Sequence, residues 1–223
     1  ERLVSEIKKE GISAVFQETA GETRTCYTLI DAGAGINSEI TEPAQNITKR
    51  EAQDFLRMFR IIIGGQRYLV LSGTIPASVD QSIYKEMISI AKSHGIITVL
   101  DVGGAALKHG IKAVPEIVKI NLHELEEYSG VKLNTESKQI KSIQMMMDKG
   151  IKFVIVTAGK HGAMAVDKNG EYAVRAPNVK ALNAVGSGDA FTAGLIVGIK
   201  RQYGANKCLR LAAGCGAANA ARV

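Results

Sequence analysis

The stretch LNAVGSGDAF, residues 182 to 191, sets Gly186, Ser187 and Gly188 directly before a carboxylate, Asp189, and an apolar run. Small residues permit a tight backbone path, and an aspartate side chain accepts the unpaired N–H groups of a first helical turn. A capped turn is therefore one reading. The other is chemical. A Gly-Ser-Gly turn opening the helix DAFTAGLIVGI aims several backbone N–H groups at one point, with the positive end of the helix dipole behind them. That geometry suits a phosphate, or the charge that develops as a phosphoryl group moves. A carboxylate in the same place repels a resting phosphate, but it can take a proton from a hydroxyl about to attack one. The pattern is not a Walker A loop, which needs Gly-Lys-Ser/Thr.

Chemistry of this kind needs a rigid frame, and the chain alternates in a way that supplies one. Residues 1 to 10 read as the tail of a helix stopped by Gly11, followed by a short strand ISAVFQE and two extended segments, TRTCYTLID and SEITEP, around a Gly-rich loop. Helices are then expected at about Thr48–Phe59, at Asp80–His94, over LHELEEYSG and at about Thr135–Lys149. Between them run the apolar strands YLVLSG, ITVLDVGG, IVKIN and KFVIVTAG, and a hairpin GAMAVDKNGEYAVRAP precedes two long helices. Strand runs without polar alternation, separated by amphipathic helices, are what a parallel sheet covered on both faces requires, so the fold class is α/β. Such sheets bind ligands at the carboxyl ends of their strands. Here those ends are Ser72-Gly73, Asp101, Asn121 and Thr157-Ala158-Gly159. Any one of them could be a helix cap; four in register with a Gly-rich helix start point to a site.

Composition narrows the class. At 223 residues, 46% hydrophobic and 22% charged, the chain reads as one globular domain, or one and an appendage. It holds no run of eighteen apolar residues, and ERLVSEIKKE reads as a charged helix rather than a signal peptide, so no membrane partner and a cytoplasmic location are expected. The net charge of +6 is spread without basic runs or interleaved aromatics, which argues against nucleic acid. Cys26, Cys208 and Cys215 lack metal-ligand spacing and are expected as reduced thiols, the latter two in core packing. His94, His109, His123 and His161 are scattered, and Met145, Met146 and Met147 read as a helix facing the core.

VGSGDAFTAGLIVGI resembles the C-terminal signature of the ribokinase-like (PfkB) carbohydrate kinases, whose core is Gly-Ala/Ser-Gly-Asp. LSGTIP is similar to the family's Ser-Gly-Ser-Leu-Pro strand end, and DVGGAAL to its Asp-x-Ser-Gly-x-Ala-Leu segment. INLHEL is similar to Lys-Pro-Asn-x-x-Glu-Leu, and VTAGKHGAMAVD to Val-Ser-Leu-Gly-x-x-Gly-Ala. The blocks follow the family's order over nearly the whole chain. GETRTCYTLID with SEITEP resembles the sugar-phosphate branch, of 1-phosphofructokinase and tagatose-6-phosphate kinase type.

The resemblance implies a central, mostly parallel sheet flanked by helices, with residues 21–46 giving strands to a small β lid through which a homodimer forms. It implies ATP-dependent phosphorylation of a sugar phosphate, with Asp189 as base and the N–H groups of Ala184 through Gly188, those of Gly186, Ser187 and Gly188 among them, as the anion hole. Arg24 would hold the phosphate already on the acceptor, as a guanidinium fork suits a phosphate dianion, with Ser72 and Asp101 on the acceptor side. Thr157, Gly159 and Gly162 would approach the nucleotide, where side chains must be small, and Asn219 would touch the adenine pocket. Asn121 and Glu124 would organise Mg²⁺ and its waters. Departures are Ile120 for the usual Pro, Ala44 for Gly, and Gly103 for Ser, which removes an acceptor-side hydroxyl. The family's first strand and last helices have no match, so the chain is expected to be part of a longer polypeptide. A kinase of an unphosphorylated sugar or nucleoside, and a non-catalytic binding regulator, are the alternatives. A pure binding site gains nothing from a carboxylate facing phosphate.

Overall fold

A computed structural model describes residues 2–31 and 36–222. The chain opens with helix α1 (Arg2–Lys9), and Gly11, at φ 70°, follows it as expected. ISAVFQE is irregular rather than a strand: its apolar Ile12, Val15 and Phe16 are 57%, 55% and 42% exposed, so alternation without a neighbouring strand leaves nothing to pair. Strands β1 (Cys26–Asp31) and β2 (Ile36–Thr41) make a separate antiparallel sheet, with Tyr27 opposite Ile40 and Leu29 opposite Ser38. The Gly-rich loop expected between them includes residues 32–35, which lie outside the described residues.

Helix α2 (Lys49–Ile62) starts at a capping box. Thr48 Oγ1 accepts from the Glu51 N–H and the Glu51 carboxylate accepts from the Thr48 N–H, which fixes the entry of the chain into the main body. The central sheet follows: β3 (Tyr68–Ser72), α3 (Ile83–Ser93), β4 (Ile97–Asp101), α4 (Gly104–Gly110), β5 (Ile117–Asn121), α5 (Leu122–Ser129), α6 (Glu136–Met147), β6 (Phe153–Thr157), β7 (Ala163–Asp167) and β8 (Gly170–Val174). Helices α7 (Ser187–Lys200) and α8 (Ala205–Ala220) close the chain. The strands lie in chain order from β3 to β8, parallel through β6 and antiparallel from β6 to β8. The short helix α4 escapes the sequence reading, which carried the preceding strand through Gly103 and Gly104; seven residues are too few for a helical period to show.

Strand alternation divides the core. Leu100, Val118, Ile120, Val154 and Val156 pack toward Ile88, Leu107, Leu125, Ile143 and Met146. Val99, Ile117 and Ile155 face the opposite way, against Phe191, Leu195, Leu209 and Ala212 of α7 and α8. The methionine run is split by its helix: Met146 is fully buried, whereas Met145 is 46% exposed. Glycines bring α7 and α8 close together, since a Cβ on Gly194 would lie 2.8 Å from Cys215 Sγ and one on Gly198 would lie 3.0 Å from Cys208 Sγ. All three cysteines are free, and Cys208 is buried in that seam. Among the described residues no helix is long and apolar enough to cross a membrane.

At the amino ends of the strands, Glu116 accepts from the Thr98 N–H at 3.0 Å and from its hydroxyl at 2.6 Å. Burial pushes the Glu116 carboxyl up, but the Thr98 hydrogen bonds outweigh it and hold the pKa below the usual glutamate value. A depressed pKa contributes stability above the unfolded value, and that stability is lost as pH falls through the folded one. Glu116→Gln is expected to cost about 1 kcal/mol at neutral pH. Urea melts should show the gap closing below about pH 4.

Candidate active site

Register gathers the predicted strand ends onto one rim. Ser72 pairs beside Asp101, and Asn121 beside Thr157, each at the last position of its strand. The Tyr84 hydroxyl donates to the carbonyls of Ser72 and Gly73, at 3.0 and 3.3 Å, and so anchors the first of these ends; burial pushes the Tyr84 phenol up. The first turn of α7 stands over the rim. Gly186, at φ 78°, turns the chain into the helix with a backbone that L side chains rarely adopt.

This turn has two sides. On one, Ser187 and Gly188 line a cleft of about 740 Å³ whose other walls include Thr157, Gly159, Gly162 and Ala217. On the other, the exposed Asp189 carboxylate lies 3.4 Å from the Ser72 hydroxyl, 117 residues away in sequence. Arg24 reaches the same side: its Nη2 donates to Thr74 Oγ1 at 3.1 Å, two residues beyond Ser72. Among the described residues Arg24 has no carboxylate partner.

Two of the N–H groups expected at the anion hole are taken within the turn. The Val185 N–H donates to Asn183 Oδ1 at 3.0 Å and the Ser187 N–H to the Ala184 carbonyl at 3.1 Å. Among the described residues the N–H groups of Ala184, Gly186, Gly188 and Asp189 have no acceptor, and the last three can meet an anion at the positive end of α7. Asn219 is held by the turn. Its amide donates to the Val185 carbonyl at 2.8 Å and lies 3.2 Å from Ser187 Oγ, so it ties the turn to α8.

Asp101 is likewise engaged within the protein. Both its oxygens meet Lys119 Nζ, at 2.9 and 3.1 Å, and Thr192 Oγ1 donates to Oδ2 at 2.6 Å. The Lys119 and Asp101 side chains are only 7% and 9% exposed. The ammonium lies directly under the turn, since a Cβ on Gly188 would be 3.1 Å from Lys119 Nζ. A cation there adds to the field that the free N–H groups make. The sequence reading passed over Lys119 and Thr192. A lysine inside the apolar strand IVKIN was the available signal, because a charge is seldom placed in a buried strand without a partner.

Asn121 and Glu124 form the N-cap of α5: Asn121 Oδ1 accepts from the Glu124 N–H at 2.9 Å, and Glu124 Oε2 accepts from the Asn121 N–H at 2.7 Å. Glu124 Oε1 has no donor among the described residues and rests against Gly103, where a Cβ would be 2.9 Å from it. The missing Gly103 side chain thus makes room for Glu124. One free carboxylate oxygen beside an amide fits a cation that keeps most of its waters; among the described residues no group of three or more His, Cys, Asp or Glu could strip it.

Comparison with known proteins agrees in sequence and in fold. Residues 1–223 match the pfkB family carbohydrate kinase. The chain is 29% identical over 221 residues to the tagatose-6-phosphate kinase of Staphylococcus epidermidis, covering 98% of this chain and 71% of that protein. The structure of Escherichia coli phosphofructokinase-2 in complex with fructose-6-phosphate superposes with a TM-score of 0.90 at 25% identity, over 100% of this chain and 73% of that one. The tetrameric inhibited form of the same enzyme gives a TM-score of 0.90 at 25% identity, over 98% and 72% of the two chains.

Proposed function

Since this chain belongs to the pfkB family of carbohydrate kinases, we propose that it transfers the γ-phosphoryl group of ATP to a hydroxyl of a phosphorylated ketose, with Asp189 as general base. One observation carries the reading: a carboxylate and three unpaired N–H groups share one helix turn that divides a nucleotide-sized cleft from a rim holding Ser72 and Arg24. ATP lies in the cleft past Thr157, Gly159 and Gly162, and its γ-phosphate meets the N–H groups of Gly186, Gly188 and Asp189. The acceptor lies on the other side, its phosphate on Arg24 and its hydroxyl against Asp189.

Asp189 takes the proton from that hydroxyl as the new O–P bond forms. The bond from the γ-phosphorus to the bridging oxygen breaks, and ADP leaves with the electron pair. Negative charge spreads over the three equatorial oxygens, where the N–H groups and the Lys119 ammonium are already oriented; fixed donors of this kind need no reorganisation at the moment of reaction. Ser72 orients the carboxylate. Asn121 and Glu124 would hold Mg²⁺, which would supply neutralisation of phosphate charge.

The Arg24 guanidinium, with no carboxylate partner among the described residues, favours a phosphorylated acceptor over a free sugar. Arg24→Ala is expected to raise KM for the sugar phosphate about 30-fold with KM for ATP within about twofold. Equal effects on both would remove Arg24 from acceptor binding. The class of reaction is tested by Mg²⁺-dependent ADP release with the full protein on fructose 1-phosphate, fructose 6-phosphate, tagatose 6-phosphate and the free sugars. Turnover on one sugar phosphate is expected, and preference for a free sugar would overturn the acceptor assignment. The small sheet offers Tyr27, Leu29 and Ile40, each more than half exposed on one face, as the surface through which two copies pair.

A further inference from the structure

The layer between the sheet and α7 is apolar, built from Val99, Ile117, Ile155, Phe191 and Leu195, yet one ion pair sits at its upper edge. Taking two charges out of water costs about what their attraction returns, and an apolar pair of similar volume serves stability at least as well. A charged pair does one thing an apolar pair does not: it keeps a charge at a fixed point. Of the three donors of the Lys119 ammonium, two contacts go to the two oxygens of Asp101. Asp101 is itself held by the Thr192 hydroxyl at 2.6 Å, and Thr192 stands one helical turn past Gly188, 3.1 Å from its carbonyl oxygen. Strand end, ammonium and helix turn are thereby joined through residues 91 apart in sequence.

We propose that Asp101 is a positioning residue for phosphoryl transfer: with Thr192 it fixes the Lys119 ammonium under the Gly188 turn, and it acts through Lys119 rather than on either substrate. The proposal rests on the kinase reading above. It explains why a carboxylate at a strand end, where an acceptor-binding group was expected, is turned inward and almost wholly covered. It also gives Gly188 a reason beyond conformation, because any side chain there would meet the ammonium.

The test compares the full protein with Asp101→Asn, Thr192→Val and Thr192→Ser, reading kcat, both KM values, the ATP dissociation constant by titration calorimetry, and thermal melts. Asp101→Asn is expected to lower kcat about 30-fold, with KM for the sugar phosphate within about twofold. Thr192→Val loses the hydroxyl but keeps the shape and should lower kcat about fivefold, and Thr192→Ser, which keeps the hydroxyl, should recover it. A rise in acceptor KM that matches the loss in Asp101→Asn would overturn the proposal by placing Asp101 on the acceptor. So would a normal kcat, or a Thr192→Ser variant as slow as Thr192→Val, which would assign the effect to packing. If the wild-type protein phosphorylates none of the acceptors, the kinase reading fails, and the ATP titration then decides for Asp101. Weakening of about tenfold in a folded Asp101→Asn variant supports its role behind the turn; unchanged affinity ends it.

Discussion

Asp189→Asn is expected to lower kcat about a thousandfold while leaving KM for ATP and for the acceptor within about twofold. The substitution keeps the shape and the contact with Ser72, 3.4 Å away, and removes only the ability to accept a proton. A group that acts on the reacting hydroxyl appears in the transition state and not in ground-state binding, so the loss falls on kcat. The capping account of the same residue gives the opposite pattern. Asp189 lies in the first turn of α7, where a carboxylate favours the helix dipole by about 0.5 kcal/mol. If that were its whole role, the variant would melt slightly lower and turn over normally. Steady-state kinetics and a thermal melt on one preparation separate the two, and full activity would remove Asp189 from the chemistry.

The second large effect is one of stability. Gly162→Ala is expected to destabilise the protein by about 3 kcal/mol or more, because the new Cβ has nowhere to go. Gly162 sits at φ 100° and ψ −138°, and a Cβ built there runs into the Val174 carbonyl oxygen and lies 2.9 Å from both Arg175 Cα and Ala176 N. All three are backbone neighbours at the end of β8, which cannot swing aside as a side chain would. Gly162 also lines the cleft, so the variant should bind ATP poorly as well. The order of these losses is informative. If the residue is small only to let a nucleotide approach, Gly162→Ala would melt like the wild type and lose ATP affinity alone. Chemical denaturation without nucleotide reads the difference.

Much of the frame was open to a reading of the residues. The apolar runs at YLVLS, ITVLD, IVKIN and FVIVT are strands, and each ends where a polar or small residue follows. The hairpin and the two closing helices stand where expected, as does the Gly-Ser-Gly turn before Asp189. These features are local. A β-strand in a covered sheet needs an unbroken apolar run, and a tight turn into a helix needs small residues, so each is written in a few consecutive positions.

What the residues left undisclosed shares one physical origin. ISAVFQE has a strand-like composition but no partner strand among the described residues, and pairing is not a property of the segment. Asp101 and Asn219 carry the polar types a ligand site uses, yet their hydrogen bonds are taken by Lys119 and Thr192 and by Val185 and Ser187. Gly162 lines the cleft, and it also lies against the backbone of a neighbouring strand end, a contact no local pattern announces.

The sequence by itself determined the alternation of strands and helices, the rim on which polar strand ends collect, and the turn that presents Asp189, because all three follow from short-range patterns of side-chain type. Only the tertiary structure decided which polar groups remain free on that rim. Asp189 meets Ser72 across 117 residues, Asp101 meets Thr192 across 91, and Lys119 comes to lie beneath Gly188 because β5 and α7 pack face to face. Strand period tells which face a lysine takes, but the identity of its partner depends on the helix that covers that face. A polar residue becomes functional when packing leaves it without a partner, and that is settled by the whole fold at once.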